Sequence, residues 1–399
     1  MNKDEQVIVI KGYGAISPLG ADAATTSQAY TKGIPAFTTI QHQGQPTPVA
    51  ALPPEADQKI QALVQTNRNY KALDRSVLMA VYAAQEAAAQ AGWVASDNVS
   101  DEELAVNIGS SRGATGLFEQ HYEAFQKSEL SSSASPTTTL GNISSWVAQA
   151  VNAGGAQISH SITCSTALMA LANGLAWLKA GMAKRFLAGG AEAPLTAFTI
   201  AQMKAIGIYS RLSAADYPCR PYAQNGNSTF VLGEGAAVFA LESIPAHLLK
   251  KGDVIVEAIG FGFEKLNSKT GISKEGINFQ MSMQKALQQL PATDKNTDLL
   301  ISHTPGTQAG DLAELTAIEH TFKKNIPVIT SNKWMIGHSL GASGALSLEY
   351  ALYLFAQQKV LFPSYLETKV PSLNTNFVRI MVNAAGFGGN AASVILRKI

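Results

Sequence analysis

The chain alternates short apolar runs with longer Ala-rich segments whose apolar residues recur at helical spacing. Val7–Ile10 and Ala105–Ile108 are runs of the first kind, and the segment from Ser76 to Ala91 is of the second kind. Short β-branched runs favour buried strands, whereas a helical apolar period favours amphipathic helices. The pattern therefore predicts an α/β protein.

The second part of the chain repeats the order of elements in the first. VIVIKGYGAIS from Val7 resembles VIVEAIGFGFE from Val254, and both are interpreted as an apolar strand running into a G-x-G turn. A small-residue-rich helix from Cys164, followed by RFLAGGAEA, resembles one from His338 that is followed later by RIMVNAAGFGG. We predict two half-domains of similar topology, residues 1–250 and 251–399, divided at the charged KKGD turn.

Composition narrows the classes of function. Charge is nearly balanced, with 30 Lys and Arg against 29 Asp and Glu, so no overall field favours nucleic acid or an acidic membrane as a partner. The two cysteines lack the spacing of a disulfide framework or a zinc site. No run approaches the roughly 20 apolar residues that cross a bilayer, and the acidic N-terminus does not fit a signal peptide. We expect a soluble protein of the cytoplasm.

Cys164 stands between a predicted strand and a helix predicted to start at Ser165. The unpaired N–H groups and the positive dipole end of a helix N-terminus favour a thiolate and can hold an oxyanion. An isolated cysteine in an Ala-rich helix is nevertheless more often a small buried apolar residue. The residues that accompany Cys164 therefore decide between a nucleophile and a packing residue.

Two of the seven histidines lie where active-site residues are common. His303 follows the apolar run DLLIS and precedes a Gly-containing loop. His338 lies at the start of a predicted helix, among small residues that permit close backbone approach. Both are predicted on the floor of one cleft. The others are expected to be ordinary surface or core residues: His42, His121, His160, His247 and His320.

Four motifs give the chain a specific resemblance to a known family. They are CSTAL at Cys164, H-T-P-G-T-x-x-G-D-x-x-E from His303, K-W-M-I-G-H-S-L-G-A-S-G-A from Lys333 and G-F-G-G-N from Gly386. Their order and spacing resemble those of the β-ketoacyl synthases, and the likeness runs from the opening VIVIKGYGAISPLG to the C-terminus. The Cys-His-His set is similar to that of the elongating branch, which depends on acyl carrier protein, since the chain-initiating branch has Cys-His-Asn.

The resemblance implies a thiolase-like fold, in which two pseudo-symmetric βαβαβαββ halves form a five-layer αβαβα sandwich. It implies that an acyl chain is transferred to Cys164 and then condenses with a malonyl thioester that loses its carboxylate. His303 and His338 would stabilise the enolate as Nε2–H donors, and the thioester oxyanion would face the backbone N–H groups of Cys164 and Phe387. No metal or organic cofactor is implied, because phosphopantetheine arrives on the carrier protein.

The same resemblance implies roles for residues around this set. Lys333 is expected beside the active site, paired with Glu314 to hold the geometry of the histidines. Phe387 is expected to act as a gate, because Gly386 and Gly388 permit a loop that swings.

Several positions depart from the family pattern where substrate is bound. Thr307 remains of a threonine pair that binds pantetheine, and Pro305 replaces the other member. Arg112 occupies a place near the acyl pocket where small or apolar residues are common, and Ser347 replaces a glutamate after the second histidine. These departures leave room for a specialised polyketide or aryl polyene pathway beside fatty-acid synthesis.

Acyl carrier protein is the expected partner, and the family resemblance implies a homodimer or a heterodimer with a chain-length-factor-like homologue. A thiolase or another coenzyme-A-dependent relative is an alternative, but it would need a second catalytic cysteine near NAAGFGGNAAS, which has none. A non-catalytic chain-length partner is a second alternative, but such subunits typically replace the cysteine. A Rossmann dehydrogenase is disfavoured because GYGAIS lacks the G-x-G-x-x-G phosphate turn.

Overall fold

A computed structural model describes residues 5–93, 100–140, 142–223, 226–265, 272–292, 294–366 and 372–399. Within these ranges the strands are β1 (Gln6–Ile16), β2 (Thr38–His42), β3 (Gln45–Val49), β4 (Leu104–Gly109), β5 (Gln157–Ile158), β6 (Arg185–Glu192), β7 (Gly235–Pro245), β8 (Val254–Phe263), β9 (Leu299–Ile301), β10 (Val328–Thr330), β11 (Lys359–Leu361), β12 (Ser372–Asn374), β13 (Arg379–Gly386) and β14 (Asn390–Lys398). The helices are α1 (Ala23–Lys32), α2 (Pro54–Thr66), α3 (Arg75–Gln90), α4 (Thr115–Gln126), α5 (Ala134–Thr138), α6 (Asn142–Val151), α7 (Thr166–Lys179), α8 (Ala197–Ala205), α9 (Ile277–Gln288), α10 (Gln308–Phe322), α11 (Lys333–Ile336) and α12 (Ser343–Gln357). None of these helices has the length and apolar character needed to cross a membrane.

Ten strands form one sheet in the order β10-β9-β13-β14-β8-β1-β7-β6-β4-β5. Its central junction is the antiparallel contact between β1 and β8, where Val9 lies opposite Ile255. On one side of the junction β1, β7 and β6 are antiparallel neighbours, and β6, β4 and β5 are parallel. On the other side β8, β14 and β13 are antiparallel, and β13, β9 and β10 are parallel. The two sets of five strands therefore have the same order and directions.

Each half has the order βαβαβαββ once its insertions are set aside, which are α1, β2, β3, α2, α4, α5 and α8 in the first half and α11, β11 and β12 in the second. The elements are β1, α3, β4, α6, β5, α7, β6 and β7 in the first half, and β8, α9, β9, α10, β10, α12, β13 and β14 in the second. The predicted duplication is confirmed, and the two similar VIV segments form the equivalent strands β1 and β8. The boundary between residues 250 and 251 stays a prediction.

Helices separate and cover the two halves of the sheet. Helices α3 and α6 pack on the outer face of the first half, and α9 and α10 pack on the outer face of the second. Helices α7 and α12 contact each other and fill the space between the halves. The predicted five-layer αβαβα sandwich is confirmed. Helices cover β4 and β9 on both faces, so every residue of these two strands is buried.

The repeated G-x-G pattern has a packing function. Gly14 lies inside β1 and Gly262 lies inside β8, so the predicted G-x-G turns are wrong. A Cβ at Gly14 would lie 2.1 Å from the carbonyl oxygen of Ala83 in α3, and a Cβ at Gly262 would lie 1.8 Å from that of Asn278 in α9. In each half, glycine lets one outer helix rest directly on the strand backbone.

A buried carboxyl group lies in the middle layer. Glu349 of α12 is 3% exposed and accepts a hydrogen bond from the Tyr30 hydroxyl at 2.9 Å. The rings of Tyr350 and Tyr353 lie 4.6 and 4.9 Å from that of Tyr30, measured between centroids. Burial raises the pKa of Glu349 to about 8. The folded protein therefore keeps this group protonated at neutral pH, where a solvated glutamate is ionised.

Glu349→Gln should stabilise the protein increasingly as pH rises from about 5 to about 8. The folded-state pKa of Glu349 lies above its unfolded value, so the folded state binds the proton more tightly and its contribution to stability is lost as pH approaches 8. The amide of the variant does not titrate, so its contribution to stability does not change across this pH range. Unfolding midpoints of variant and wild type should diverge across this window, with exposed Glu319→Gln as the control. A difference that is constant with pH would contradict the assignment.

Candidate active site

One cavity brings residues of both halves together. It has a volume of about 360 Å³ and is lined by Cys164 from the first half and by His303, His338 and Phe387 from the second. This volume falls in the range of small-molecule sites. Much of the remaining wall is apolar: Met203, Ile206, Ile208, Phe230, Ile272, Phe279 and Leu340. The predicted cleft with Cys164 and both histidines is therefore present.

Cys164 follows a strained residue. Thr163 has φ 52°, a left-handed backbone conformation that is rare for a β-branched residue. It is held there because Thr166 Oγ1 donates to its carbonyl oxygen at 2.5 Å and Asn390 Nδ2 donates to its Oγ1 at 3.3 Å. Such strain is common at functional sites, and here it directs the next residue into the cavity. Sequence analysis missed Thr163, and α7 begins at Thr166 rather than at the predicted Ser165.

The environment of Cys164 opposes ionisation. Burial raises the pKa of its thiol to about 12; the Glu192 carboxylate acts in the same direction, and Lys333 acts in the opposite one. Burial therefore opposes the ionisation that the start of α7 was expected to favour.

The two histidines contact each other at the base of the cavity. Their rings meet edge to face with centroids 5.1 Å apart. Burial lowers the pKa of both rings well below the usual range, and the nearby Lys333 charge lowers it further. Both imidazoles are therefore neutral at physiological pH. Within the described ranges, Nδ1 of each ring is buried without a hydrogen-bond partner. We therefore expect the proton on Nε2.

Local backbone pairing places the two rings. His303 follows β9, as predicted from the apolar run before it. His338 does not begin a helix, contrary to the prediction, because α12 starts only at Ser343 after a short 3₁₀ turn. Instead the His338 N–H donates to Val231 O at 2.8 Å, and its carbonyl accepts from Gly233 N at 3.1 Å. An extended strand-like segment thus fixes His338.

The predicted Lys333–Glu314 pair is not a direct contact among the described residues. Glu314 is fully buried and accepts hydrogen bonds from the backbone N–H groups of His303 at 2.9 Å and Thr304 at 2.8 Å. Lys333 Nζ instead donates to Ser302 O at 3.5 Å. Main-chain donors occupy the carboxylate, so the two side chains form no direct ion pair, although the Glu314 charge opposes the lowering of the Lys333 pKa. Glu314 holds His303 through its backbone, and Lys333, whose pKa burial lowers to about 8, acts on the histidines through its charge.

Two backbone N–H groups are available to an oxyanion. In the described part of the chain, neither Cys164 N nor Phe387 N donates to a protein acceptor. A Cβ at Gly386 would lie 2.8 Å from Cys164 N, so the two loops meet closely because residue 386 is glycine. Asn390 Nδ2 donates to Phe387 O at 3.1 Å and anchors the second loop. This geometry is suited to stabilising a thioester oxyanion.

The loop that carries Phe387 has the features of the predicted gate. The Phe387 side chain is 43% exposed and lines the cavity. Gly388 has φ 93°, and a Cβ there would meet no atom within 4 Å. Movement of this loop stays a prediction.

The two predicted substrate-binding residues lie in different places. Thr307 lines the cavity, as does Pro305. Arg112 does not line it, so the prediction that Arg112 binds substrate there is not supported by the structure. Its guanidinium donates to Gln202 of α8, the helix that also places Met203 on the cavity wall. The hydrogen bond to the Gln202 side chain holds the Arg112 guanidinium outside the cavity.

Glu192 is a buried residue that the sequence analysis missed. Its carboxylate accepts from Ser110 Oγ at 2.9 Å and from the backbone N–H groups of Ser111 at 2.7 Å and Gly341 at 2.9 Å. Burial raises its pKa to about 7. Because Gly341 belongs to the second half, Glu192 links the two halves next to Cys164. Its place at the end of the apolar segment LAGGAEA was the one available signal, and no charged partner in the sequence pointed to it.

Asp311 organises the loop after His303. Its carboxylate accepts from the backbone N–H groups of Gly306 and Thr307, each at 3.1 Å. Burial raises its pKa to about 7. The H-T-P-G-T-x-x-G-D-x-x-E motif contained Asp311, so a signal existed although no role was assigned. Among the described residues, no group of His, Cys, Asp and Glu side chains is arranged to hold a metal ion.

Comparison with known families agrees with this geometry. Residues 5–247 match the family described as Beta-ketoacyl synthase, N-terminal domain, and residues 255–365 match Beta-ketoacyl synthase, C-terminal domain. The chain belongs to the β-ketoacyl synthase family. It is therefore a condensing enzyme of the acyltransferase type that elongates acyl chains.

The chain aligns over nearly its full length with proteins of known name. It is 28% identical over 409 residues to 3-oxoacyl-[acyl-carrier-protein] synthase 2 of Staphylococcus aureus (strain N315), with 98% of each chain covered. It is 26% identical over 416 residues to the protein of the same name from Coxiella burnetii, with 99% of each covered. A β-ketoacyl synthase structure from Burkholderia phymatum has a TM-score of 0.83 at 23% identity, covering 99% of this chain and 100% of that one. The ishigamide ketosynthase/chain length factor has a TM-score of 0.84 at 20% identity, covering 99% of each. These structural likenesses confirm the fold.

Alkylation of Cys164 by iodoacetamide should accelerate about tenfold per pH unit between about pH 7 and pH 9, because the thiolate is a minor species far below the thiol pKa. The rate is measured by mass spectrometry of the Cys164 peptide. Cys219 is fully buried and should remain unlabelled in the folded protein. A rate that levels off below about pH 8 would show a thiolate resting state and contradict the effect of burial.

Proposed function

We propose that this synthase elongates an acyl chain delivered by an acyl carrier protein, with malonyl-carrier protein as the donor of two carbons. The observation that carries the proposal is the shared cavity of Cys164, His303 and His338, with two N–H groups of the backbone free to bind an oxyanion. The phosphopantetheine arm of the carrier protein supplies the thioester. No metal or organic cofactor takes part in the proposed reaction.

The first step is transfer of the acyl group to Cys164. Its sulfur attacks the thioester carbonyl, a new C–S bond forms, and the bond to the phosphopantetheine sulfur breaks. The thiol proton of Cys164 is lost and the departing phosphopantetheine thiol gains one, so the exchange consumes no net proton. The N–H groups of Cys164 and Phe387 stabilise the oxyanion of the tetrahedral intermediate.

The second step is decarboxylation and condensation. The bond between the malonyl carboxylate and its α-carbon breaks, CO₂ leaves, and the electron pair moves onto the thioester as an enolate. Neutral His303 and His338 donate Nε2–H bonds to that enolate, and their buried setting strengthens those bonds relative to water. The α-carbon then attacks the acyl-Cys164 carbonyl and forms the new C–C bond as the C–S bond to Cys164 breaks. The departing sulfur takes up one proton from bulk water, so this step consumes one proton overall.

The cavity wall supports a role for Thr307 in binding pantetheine. Its hydroxyl-bearing side chain lines the cavity, and its backbone N–H is fixed by Asp311. Pro305 on the same wall cannot offer a hydroxyl. The proposed substrate class includes fatty-acid, polyketide and aryl polyene chains.

The cytoplasm is the proposed compartment. Neither Cys164 nor Cys219 is in a disulfide, and the proposed mechanism needs Cys164 reduced. A reducing compartment keeps such a thiol free.

A dimer is the proposed assembly. Helix α4 has no buried residue, and one face presents Phe118, Tyr122 and Phe125, which are 63%, 55% and 61% exposed. These positions follow helical spacing and form an apolar surface of the kind that marks protein interfaces. We propose that this face packs against a second copy, or against a chain-length-factor-like homologue in a heterodimer.

The nucleophile is tested by acylation with a series of acyl-carrier-protein thioesters. The wild type should gain the mass of the acyl group on Cys164 and then release a β-ketoacyl product with malonyl-carrier protein. Cys164→Ala should lose both the adduct and condensation, because the sulfur that carries the chain is gone. Cys219→Ala is the matched control and should retain both, since Cys219 does not line the cavity.

Each alternative gives a different outcome. Absence of an adduct across all chain lengths would favour a non-catalytic chain-length partner. An adduct formed from acyl-coenzyme A but not from the carrier protein would favour a thiolase-type transferase. Condensation that survives Cys164→Ala would contradict the proposed mechanism.

The apolar face of α4 is tested by sedimentation velocity of the purified chain at micromolar concentration. A homodimer predicts that wild type sediments as a dimer and that Phe118→Asp shifts it to monomer. Met182→Asp is the control, because Met182 is 65% exposed outside α4 and its replacement should leave the dimer intact. A monomeric wild type would contradict the homodimer and favour a homologous partner chain.

A further inference from the structure

Four buried rings form a row at the base of the cavity. The Phe279 and His303 ring centroids are 6.3 Å apart, those of His303 and His338 are 5.1 Å apart, and those of His338 and Phe230 are 5.4 Å apart. Phe279 is 1% exposed and Phe230 is 3% exposed. Each imidazole is thus placed between the other imidazole and one phenylalanine.

The His303 ring has no hydrogen bond that fixes its orientation within the described ranges. Its Nδ1 is buried without a partner, and the Glu314 carboxylate holds only its backbone N–H, at 2.9 Å. Catalytic histidines are commonly oriented by a hydrogen bond to the second ring nitrogen. Because His303 lacks one, packing against neighbouring rings must define its side-chain torsion.

Phe279 is placed rigidly against His303. It lies in the first turn of α9, where its N–H donates to Asn278 Oδ1 at 2.9 Å. Gly262 permits this turn to rest on β8, since a Cβ there would lie 1.8 Å from Asn278 O. Gly276, with φ 57°, fits against α10, where a Cβ would lie 2.4 Å from Ala313 O. The close contact of α9 with its neighbours therefore determines where the Phe279 ring lies.

We propose that Phe279 is a positioning residue for His303 and holds its Nε2–H toward the malonyl thioester. This inference rests on the proposed decarboxylation. Phe279 joins two environments, because it lines the cavity and also belongs to the core cluster between α9, α10 and the second half of the sheet. Removing its ring leaves space beside His303 into which the imidazole can rotate, while Cys164 keeps its own contacts.

The test uses the full chain with Phe279→Leu, which keeps an apolar side chain but removes the ring. Two half-reactions are measured separately: acylation of Cys164, by mass spectrometry, and release of CO₂ from malonyl-carrier protein. We expect kcat for decarboxylation to fall about 10- to 100-fold, as small misplacements of a catalytic group do. The rate of Cys164 acylation should be unchanged, because that step does not use the His303 ring.

Met283→Ala is the matched control. Met283 lies one turn further along α9, is fully buried in the same cluster and does not line the cavity. It should lower the unfolding temperature at least as much as Phe279→Leu while leaving the ratio of the two half-reactions unchanged. Equal losses in both half-reactions, or the same change of ratio in both variants, would show that Phe279 acts only in packing and would overturn the proposal.

A second measurement does not depend on activity. Imidazole ¹⁵N resonances of His303, assigned with a His303→Gln variant, should shift or broaden in Phe279→Leu and remain unchanged in Met283→Ala. Unchanged His303 resonances in Phe279→Leu would contradict the positioning role. If wild type shows no acylation and no decarboxylation, the proposed function fails, whereas the resonances still decide whether Phe279 orients His303.

Discussion

Exclusion of water from the space between the two halves determines the chemistry of this synthase. Loss of solvent lowers the pKa of His303 and His338, which keeps both rings neutral, and raises that of Cys164 to about 12. A neutral imidazole that carries its proton on Nε2 donates a hydrogen bond from that nitrogen, and the bond is stronger where water is excluded. The same burial makes the Cys164 thiolate costly, so ionisation of the sulfur is opposed in the enzyme without substrate.

The duplicated fold creates this space. Helices α7 and α12 occupy equivalent positions in the two halves and pack together in the middle layer. Cys164 lies just ahead of α7, and His338 lies in the segment leading to α12, so the duplication brings the nucleophile and one histidine to equivalent ends of the two helices. Buried carboxylates are stabilised by backbone donors, as Glu192 is by Ser111 and Gly341. Such bonds hold loops of both halves in fixed positions without a charged partner.

Much of this could be predicted from sequence, because apolar periodicity and the repeated order of elements reflect packing that is local in the chain. The Cys-His-His set was found because its motifs are contiguous. The errors concern contacts between distant segments. The G-x-G pairs suggested turns, but glycine is needed in the middle of β1 and β8 for helices to approach. Lys333 and Glu314 were expected to pair, but backbone N–H groups that carry no sequence signal occupy Glu314. The thiolate expectation considered only the helix terminus and could not include burial.

The central claim is that neutral His303 and His338 hold the enolate oxygen while the N–H groups of Cys164 and Phe387 hold the oxygen of the acyl chain. The most direct test is a crystal structure of the Cys164-acylated synthase with a malonyl-pantetheine analogue that cannot lose CO₂. We expect the oxygen that replaces the thioester carbonyl of the analogue to lie within hydrogen-bond distance of Nε2 of both His303 and His338. The oxygen of the acyl chain should lie within that distance of the N–H groups of Cys164 and Phe387. An analogue oxygen bound by Lys333, or an acyl oxygen that faces the histidines, would contradict this central claim.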